Sequence, residues 1–388
     1  MDAFLKLGLT SFGGPIAHLG YFREEFVVRK KWLDDRVYAD LVALCQFTPG
    51  PASSKAGIGI GLMKAGLPGA FAAWVAFTLP SALALLLFAY GMETFAGEPG
   101  GGWLHGLKVV AVAVVAQAVW GMAKNLCPDA PRFTLAVAAA VIAMLWPSST
   151  GQVGAIAVGA IVGCLFLNAK RDDAHVDMSI PLGKTAGASS LVLFFVLLAV
   201  LPVASAVYQN DALSLFDSFY RSGSLVFGGG HVVLPLLQAE VVPRGWVSND
   251  AFLAGYGAAQ AVPGPLFTFA AYLGAIMGTE PSGWQGALLC IAAIFLPAFL
   301  LTIGVLPFWD GLRRLGPVRS ALTGVNAAVV GLLLAALYNP VWTSAIKAPA
   351  DFGLGLAAFA LLVFWKLPPW LVVLLCALGG WGLERPGT

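Results

Sequence analysis

The chain reads as an all-α polytopic membrane protein made of two inverted repeats, with broken or re-entrant helices at glycine and proline. Three observations carry this reading. First, 59% of the 388 residues are hydrophobic and only 11% are Asp, Glu, Lys or Arg, against about 25% charged in a soluble domain. Mean hydropathy is +0.83. Second, the apolar residues fall in segments near the roughly 20 residues that cross a bilayer core, giving about nine to thirteen membrane segments. Third, two breaks, Phe-Gly-Gly and Pro-Gly-Pro, occur twice in the same order.

This balance excludes a soluble enzyme, a disordered chain and a nucleic-acid binder. A net charge of +2 offers nothing to a polyanion. The five cysteines, Cys45, Cys127, Cys164, Cys290 and Cys376, are scattered without a CxxC and read as small packing residues. No basic region followed by a short apolar stretch and a cleavage site is seen, so no cleaved signal peptide is expected. No cofactor or metal site is expected.

Continuous apolar segments lie near 67–92, 103–125, 132–147, 151–168, 189–209, 284–307, 317–338, 350–366 and 368–384. In lipid these must be helices, because the backbone has no other hydrogen-bond partner. Four further segments are broken. Residues 4–22 contain Phe12-Gly13-Gly14-Pro15, and 37–63 contain Pro49-Gly50-Pro51. Residues 214–238 contain Phe227-Gly228-Gly229-Gly230, and 250–278 contain Pro263-Gly264-Pro265. Pro-Gly-Pro cannot continue a regular helix, since proline lacks the donor and clashes with the preceding turn. Such backbone sits at membrane depth only inside protein or beside a water-filled cavity. Each broken segment either re-enters or spans as two half-helices.

Phe12-Gly-Gly recurs at Phe227, and Pro49-Gly-Pro at Pro263. Between them Glu25 matches Glu240, Arg29 matches Arg244, Trp32 matches Trp246 and Gln46 matches Gln260. Leu79-Pro80 then matches Leu296-Pro297. This order predicts an N-terminal repeat over 1–168, a linker with a connecting helix over 169–213, and a C-terminal repeat over 214–388. Basic residues favour cytoplasmic loops. Loop 23–36 carries Arg23, Arg29, Lys30, Lys31 and Arg36, whereas 239–249 carries only Arg244. Loop 93–102 has no Lys or Arg, whereas 308–319 has Arg313, Arg314 and Arg319. The opposite bias predicts inverted repeats. It puts linker 169–188, with Lys170, Arg171 and Lys184, inside.

Phe12-Gly-Gly-Pro-Ile-Ala-His18 and Pro49-Gly-Pro-Ala-Ser-Ser-Lys55 resemble the chromate ion transporter family, notably its long two-domain bacterial members. Ala73–Pro80, Lys108–Trp120 and Val262–Thr268 fit the same pattern. The resemblance spans nearly the whole chain. It implies multi-pass residence in a bacterial inner membrane and transport of chromate, usually as export giving resistance, with sulfate as the natural analogue. The second copy departs from the first: Gly230-His231 stands for Pro15-Ile16, and Leu266-Phe267-Thr268 for Ala52-Ser53-Ser54.

A tetrahedral dianion needs donors to replace its hydration, and half-helix N-termini supply free N–H groups with about half a positive charge. The candidate anion site therefore joins Gly13, Gly14, Gly228 and Gly229, where backbone approaches closely, to the breaks Pro49, Gly50, Pro51 and Pro263, Gly264, Pro265. The two Pro-Gly-Pro segments are expected to face each other across the ion. Ser53, Ser54 and Thr268 would donate hydroxyls. Lys55 would neutralise half the dianion. His18 and His231 would donate to the anion or sense protons. Gln46 and Gln260 would cap the breaks or touch the ion. His105 reads as interfacial. Glu25, Arg29, Glu240 and Arg244 are candidate gating ion pairs.

The leading expectation is a secondary transporter working by alternating access. An interior-negative potential of about 100 mV contributes about 2.3 kcal/mol per charge, so expelling a dianion gains roughly 4.6 kcal/mol, about a thousandfold gradient. Uptake would need co-transported cations, and the broken segments offer few acidic groups, chiefly Asp40. Sulfate uptake through the same site is the alternative. An intramembrane enzyme is remote, since neither HExxH nor GxSxG appears. The partners are the dianion and the bilayer, with no nucleic acid. The assembly stays open between monomer and homodimer.

Overall fold

The computed structural model describes residues 1–95, 102–167 and 182–383, and no strand occurs among them. Most of loop 93–102, and linker residues Lys170 and Arg171, lie outside the described residues.

The first copy opens with α1 (Asp2–Thr10) and α2 (Gly14–Arg23), the latter continued by a wider turn over Glu24–Arg29. Then come α3 (Asp35–Phe47) and α4 (Ala52–Phe95). The Gly13-Gly14 and Pro49-Gly50-Pro51 breaks separate these helices as proline and glycine require. Inside α4, Ala65 and Gly66 leave helical geometry, so 52–64 folds back on 67–95. The copy ends with α5 (Gly102–Leu126), α6 (Ala130–Leu145) and α7 (Ser149–Phe166), and α8 (Lys184–Tyr208) connects the copies.

The chain from residue 211 onward, where the sequence motifs recur, holds a further series of helices. It has α9 (Asp211–Ser224), α10 (Val233–Val241), α11 (Asn249–Ala259), α12 (Phe269–Ala275) and α13 (Gly283–Val305). Short α14 (Trp309–Leu312) leads to α15 (Gly316–Ala336), α16 (Thr343–Ala345), α17 (Pro349–Val363) and α18 (Pro369–Leu383). The continuous segments expected from sequence are thus helices, and Pro80 and Pro297 sit inside α4 and α13.

Each broken segment is a hairpin with its break at the tip. Phe4 of α1 packs on Phe22 and Phe26, with ring centroids 6.0 and 4.6 Å away. Ser218 of α9 donates to Glu240 of α10 at 3.1 Å. A Cβ at Gly59 would meet Leu41 at 2.7 Å, so α3 and the start of α4 lie side by side. The Tyr272 hydroxyl donates to Ala251 O at 2.8 Å, closing α12 on α11. The return turns match as well. A Cβ at Gly61 would stand 2.3 Å from Gly69 O, and one at Gly274 2.3 Å from Gly286 O. Small residues allow such backbone contact between helices.

The copies are interlocked. α6 and α7 of the first pack on α15 of the second, while α17 and α18 of the second pack on α5 of the first. Among the described residues, six helical stretches are long and apolar enough to cross a membrane. α8 leaves Val192, Phe195, Val196, Val200 and Val203 exposed, as a lipid-facing helix would. All five cysteines are free, four of them buried.

Candidate anion site

The four hairpin tips meet. Gly50 N–H donates to Val226 O at 2.7 Å, and Gly264 N–H donates to Ser11 O at 2.9 Å. Each Pro-Gly-Pro tip therefore docks on the glycine-rich tip of the other copy. This corrects the expectation that the two Pro-Gly-Pro segments face each other. The reason is that each break exposes backbone groups, and the other copy's break supplies partners for them. The glycine-rich tips also touch: a Cβ at Gly14 would lie 3.9 Å from His231 Nε2, and one at Gly230 3.2 Å from Pro15 Cγ. Gly50 and Gly264 both have φ near +105° (106 and 105°), a region closed to most side chains.

A cavity of about 60 Å³ opens at the Gly264–Ser11 crossing. A water needs about 10–15 Å³ on this measure, so the cavity has room for roughly four to six water-sized groups. Ser11, Gly13, Gly14 and His18 line it from the first copy, and His231, Gln260 and Gly264 from the second. Gln117 of α5 closes one side. Asp, Glu, Lys and Arg are absent from its lining. The N-terminus of α2 starts in this wall with its first N–H groups unpaired by the helix. Ser11 is 1% exposed and its hydroxyl has no partner.

His18 Nε2 lies 3.1 Å from Ser11 O and Nδ1 3.4 Å from Ser53 Oγ. A carbonyl only accepts, so Nε2 carries the proton, and in the neutral ring Ser53 donates to Nδ1. Ser11 O thus takes both Gly264 N–H and His18. His18 braces the crossing with both nitrogens. His231 differs: Nδ1 pairs with the Tyr256 hydroxyl at 2.8 Å, leaving Nε2 toward Gly14. Gln260 and Gln117 each donate one long bond of 3.4 Å, to Tyr256 O and Leu362 O. Each amide keeps a second N–H.

Several expected residues lie elsewhere. Gln46 is exposed. Gly228 and Gly229 pack toward Met122. Pro49, Gly50 and Pro51 form the other crossing. Thr268 Oγ1 donates to Pro265 O at 2.7 Å, capping its own break beside Pro263. Ser54 is buried with its hydroxyl unpartnered. Lys55 is fully buried, but its ammonium donates to Thr48 O, to Thr48 Oγ1 at 2.9 Å and to Pro49 O at 2.9 Å. It does not line the cavity, because the carbonyls of its own break claim its donors.

The expected gating pairs form within each copy. Glu25 accepts from Arg29, with Lys30 3.8 Å away, and this holds its carboxyl below the usual carboxylate range. Glu240 accepts from Arg244 at 3.3 Å, and also from Arg221 at 3.0 Å. Arg221 reaches Asp217 at 2.9 Å as well. Asp217 and Arg221 were missed from sequence, although Asp2 and Lys6 stand at the matching positions of the first copy. Asp40 accepts from Arg313 at 2.8 Å and from Trp309 at 3.1 Å, tying the copies together. His105 pairs with Asp351 at 2.8 Å, linking α5 to α17.

Comparison with known proteins places the chain in one family. The family model described as Chromate transporter matches residues 1–164 and 213–381. A chromate transport protein of Pseudomonas aeruginosa is 29% identical, covering 97% of this chain and 90% of its own length. One of Cupriavidus metallidurans is 27% identical with the same two coverages. A probable chromate transport protein of Synechococcus elongatus is 26% identical over 97% of this chain and 93% of its own. No solved structure matches.

Proposed function

The chain belongs to the chromate transporter family, a multi-pass membrane protein and a transporter rather than an enzyme, and on that premise we propose that it carries chromate out of the cell by alternating access, giving chromate resistance. The observation that carries this is the cavity between the hairpin tips, which offers donors and no carboxylate. The α2 N–H groups, the Ser11 hydroxyl, His231 Nε2 and the second N–H groups of Gln117 and Gln260 replace the hydration of the dianion. His18 holds Ser11 in place.

The two copies act as inverted repeats in an inner membrane, with the hairpins re-entrant and their tips at mid-depth. Access alternates as the two crossings loosen in turn. The ion clusters Glu25–Arg29 and Glu240–Arg244, together with Asp217 and Arg221, hold the bases of the first hairpin of each copy and serve as gates. Export follows from the potential, which drives a dianion outward.

The test is chromate flux in sealed vesicles of known orientation at clamped potential, with sulfate as competitor. Potential-driven chromate flux from the cytoplasmic face, lost in Ser11→Ala at equal protein level, is the expected result. Cation-dependent inward sulfate flux without chromate flux would replace export with sulfate uptake through the same cavity.

A further inference from the structure

We propose that the first Pro-Gly-Pro break is a built monovalent-cation site whose resident cation is the ammonium of Lys55. Lys55 is 0% exposed. An ammonium has three donors, and three oxygens receive them: Thr48 O, Thr48 Oγ1 and Pro49 O. All three are neutral. No carboxylate pairs with Lys55 among the described residues. Thr48 and Pro49 follow directly on α3, where the helix leaves carbonyls without intrahelical partners and the negative end of its dipole favours a cation. Unwound carbonyls at such half-helix ends are where secondary transporters seat small cations. Here the cation is covalently attached.

The second copy provides an internal comparison. Phe269 stands where Lys55 would be, and Val262 where Thr48 would be. The charge and its hydroxyl ligand are lost together. The turn after α11 instead tightens on itself, with Gln260 N–H on Gly257 O at 3.1 Å and Ala261 N–H on Ala258 O at 2.9 Å. The cavity lies at this second break. One break therefore holds a permanent cation, and the other is free to take the transported ion. A soluble coupling cation is not needed at the first break, because Lys55 already occupies the oxygens that would bind it.

The test uses the full-length protein in detergent, with Lys55→Ala and Lys55→Met. The probes are ammonium, methylammonium and tetramethylammonium chlorides at equal ionic strength. Lys55→Ala should melt below wild type and regain most of the loss with ammonium or methylammonium in a saturable way. Tetramethylammonium is too large for the oxygens and should not act. Wild type should not respond. Lys55→Met, with a stem of similar length and no charge, should melt as low as Lys55→Ala and stay there. Lys55→Met melting like wild type would show that only the stem matters and would overturn the proposal. Failure of ammonium to recover Lys55→Ala, folded or not, would overturn it too. A flux arm rests on the anion-transport reading: ammonium should raise Lys55→Ala flux several-fold in vesicles. The melting arm does not rest on that reading, so the two can fail separately.

Discussion

Gly50 donates its backbone N–H to Val226 O at 2.7 Å, joining the Pro-Gly-Pro tip of one copy to the glycine-rich tip of the other. Gly264 and Ser11 repeat the bond at 2.9 Å in the matching place. The two bonds are equivalent, but their surroundings are not. At Gly264 a Cβ would meet Ser81 Oγ at 2.8 Å, whereas at Gly50 the nearest atoms stand at 3.8 Å. Left-handed geometry costs a non-glycine residue about 1–2 kcal/mol. Gly50→Ala should therefore lose about that much, and Gly264→Ala clearly more. Thermal unfolding of the two variants side by side checks the order.

Ser11→Ala removes a hydroxyl that has no partner within the protein. Its effect on the melting temperature should be small. A hydrogen bond to a charged group contributes about 1.5–3 kcal/mol, so chromate affinity should fall at least about tenfold. Ser11→Thr should keep it. Equilibrium binding and flux at matched protein level decide; unchanged affinity in Ser11→Ala would remove Ser11 from the site.

Glu240→Gln should be far more damaging than Glu25→Gln. Glu240 is 3% exposed and receives Ser218, Arg221 and Arg244 on one oxygen. Removing the charge leaves the partly buried Arg221, 22% exposed, with Asp217 alone; breaking a fully buried pair costs about 3–5 kcal/mol, and the loss here should approach the lower end of that range. The Glu25 partner Arg29 is half-exposed, at 54%, where water screens the pair. Expression and melting temperature of the two variants test the asymmetry.

The same contrast has a pH signature. Arg29 depresses the Glu25 carboxyl, so the pair stabilises the fold at neutral pH. That contribution is lost as pH falls from the ordinary glutamate value of about 4.3 through the depressed one. The gap in melting temperature between wild type and Glu25→Gln should close on acidification. A gap independent of pH would mean that Glu25 acts by packing.

Gly163→Val should abolish the folded protein, because even a Cβ at Gly163 would stand 2.5 Å from Ser320 O across the interface of the copies. Gly154 on the same helix has nothing within 4 Å, and Gly154→Val should be tolerated. Yield of monodisperse protein in detergent separates them.

Much of this architecture is legible from local chemistry. Proline and glycine announce the breaks, and the apolar runs give helix positions such as α5 and α15 within a few residues. The recurrence of Glu25 and Arg29 as Glu240 and Arg244 marks the ion clusters. What escapes sequence is partnership. A bond such as Gly50 to Val226 is made by backbone, which leaves no side-chain signature. Lys55 looks like an anion ligand until the oxygens of its own turn are seen around it. Ser11 precedes the motif that drew attention to Gly13 and Gly14, and Gln117 lies on a helix with no break to flag it. The hairpin paths stayed open because Pro-Gly-Pro ends a helix without stating where the chain turns next.

The exchange of outer helices has a consequence for how the protein comes to exist. α5 is buried by α17 and α18, which are made more than two hundred residues later, and α6 and α7 wait likewise for α15. Neither half has a complete neighbourhood of its own. During synthesis the first half must sit in lipid with one flank unclothed until its counterpart arrives, a window in which long-range contacts are slow to close. A ribosome that stalls within the second half leaves an unfinished clasp rather than a smaller working carrier.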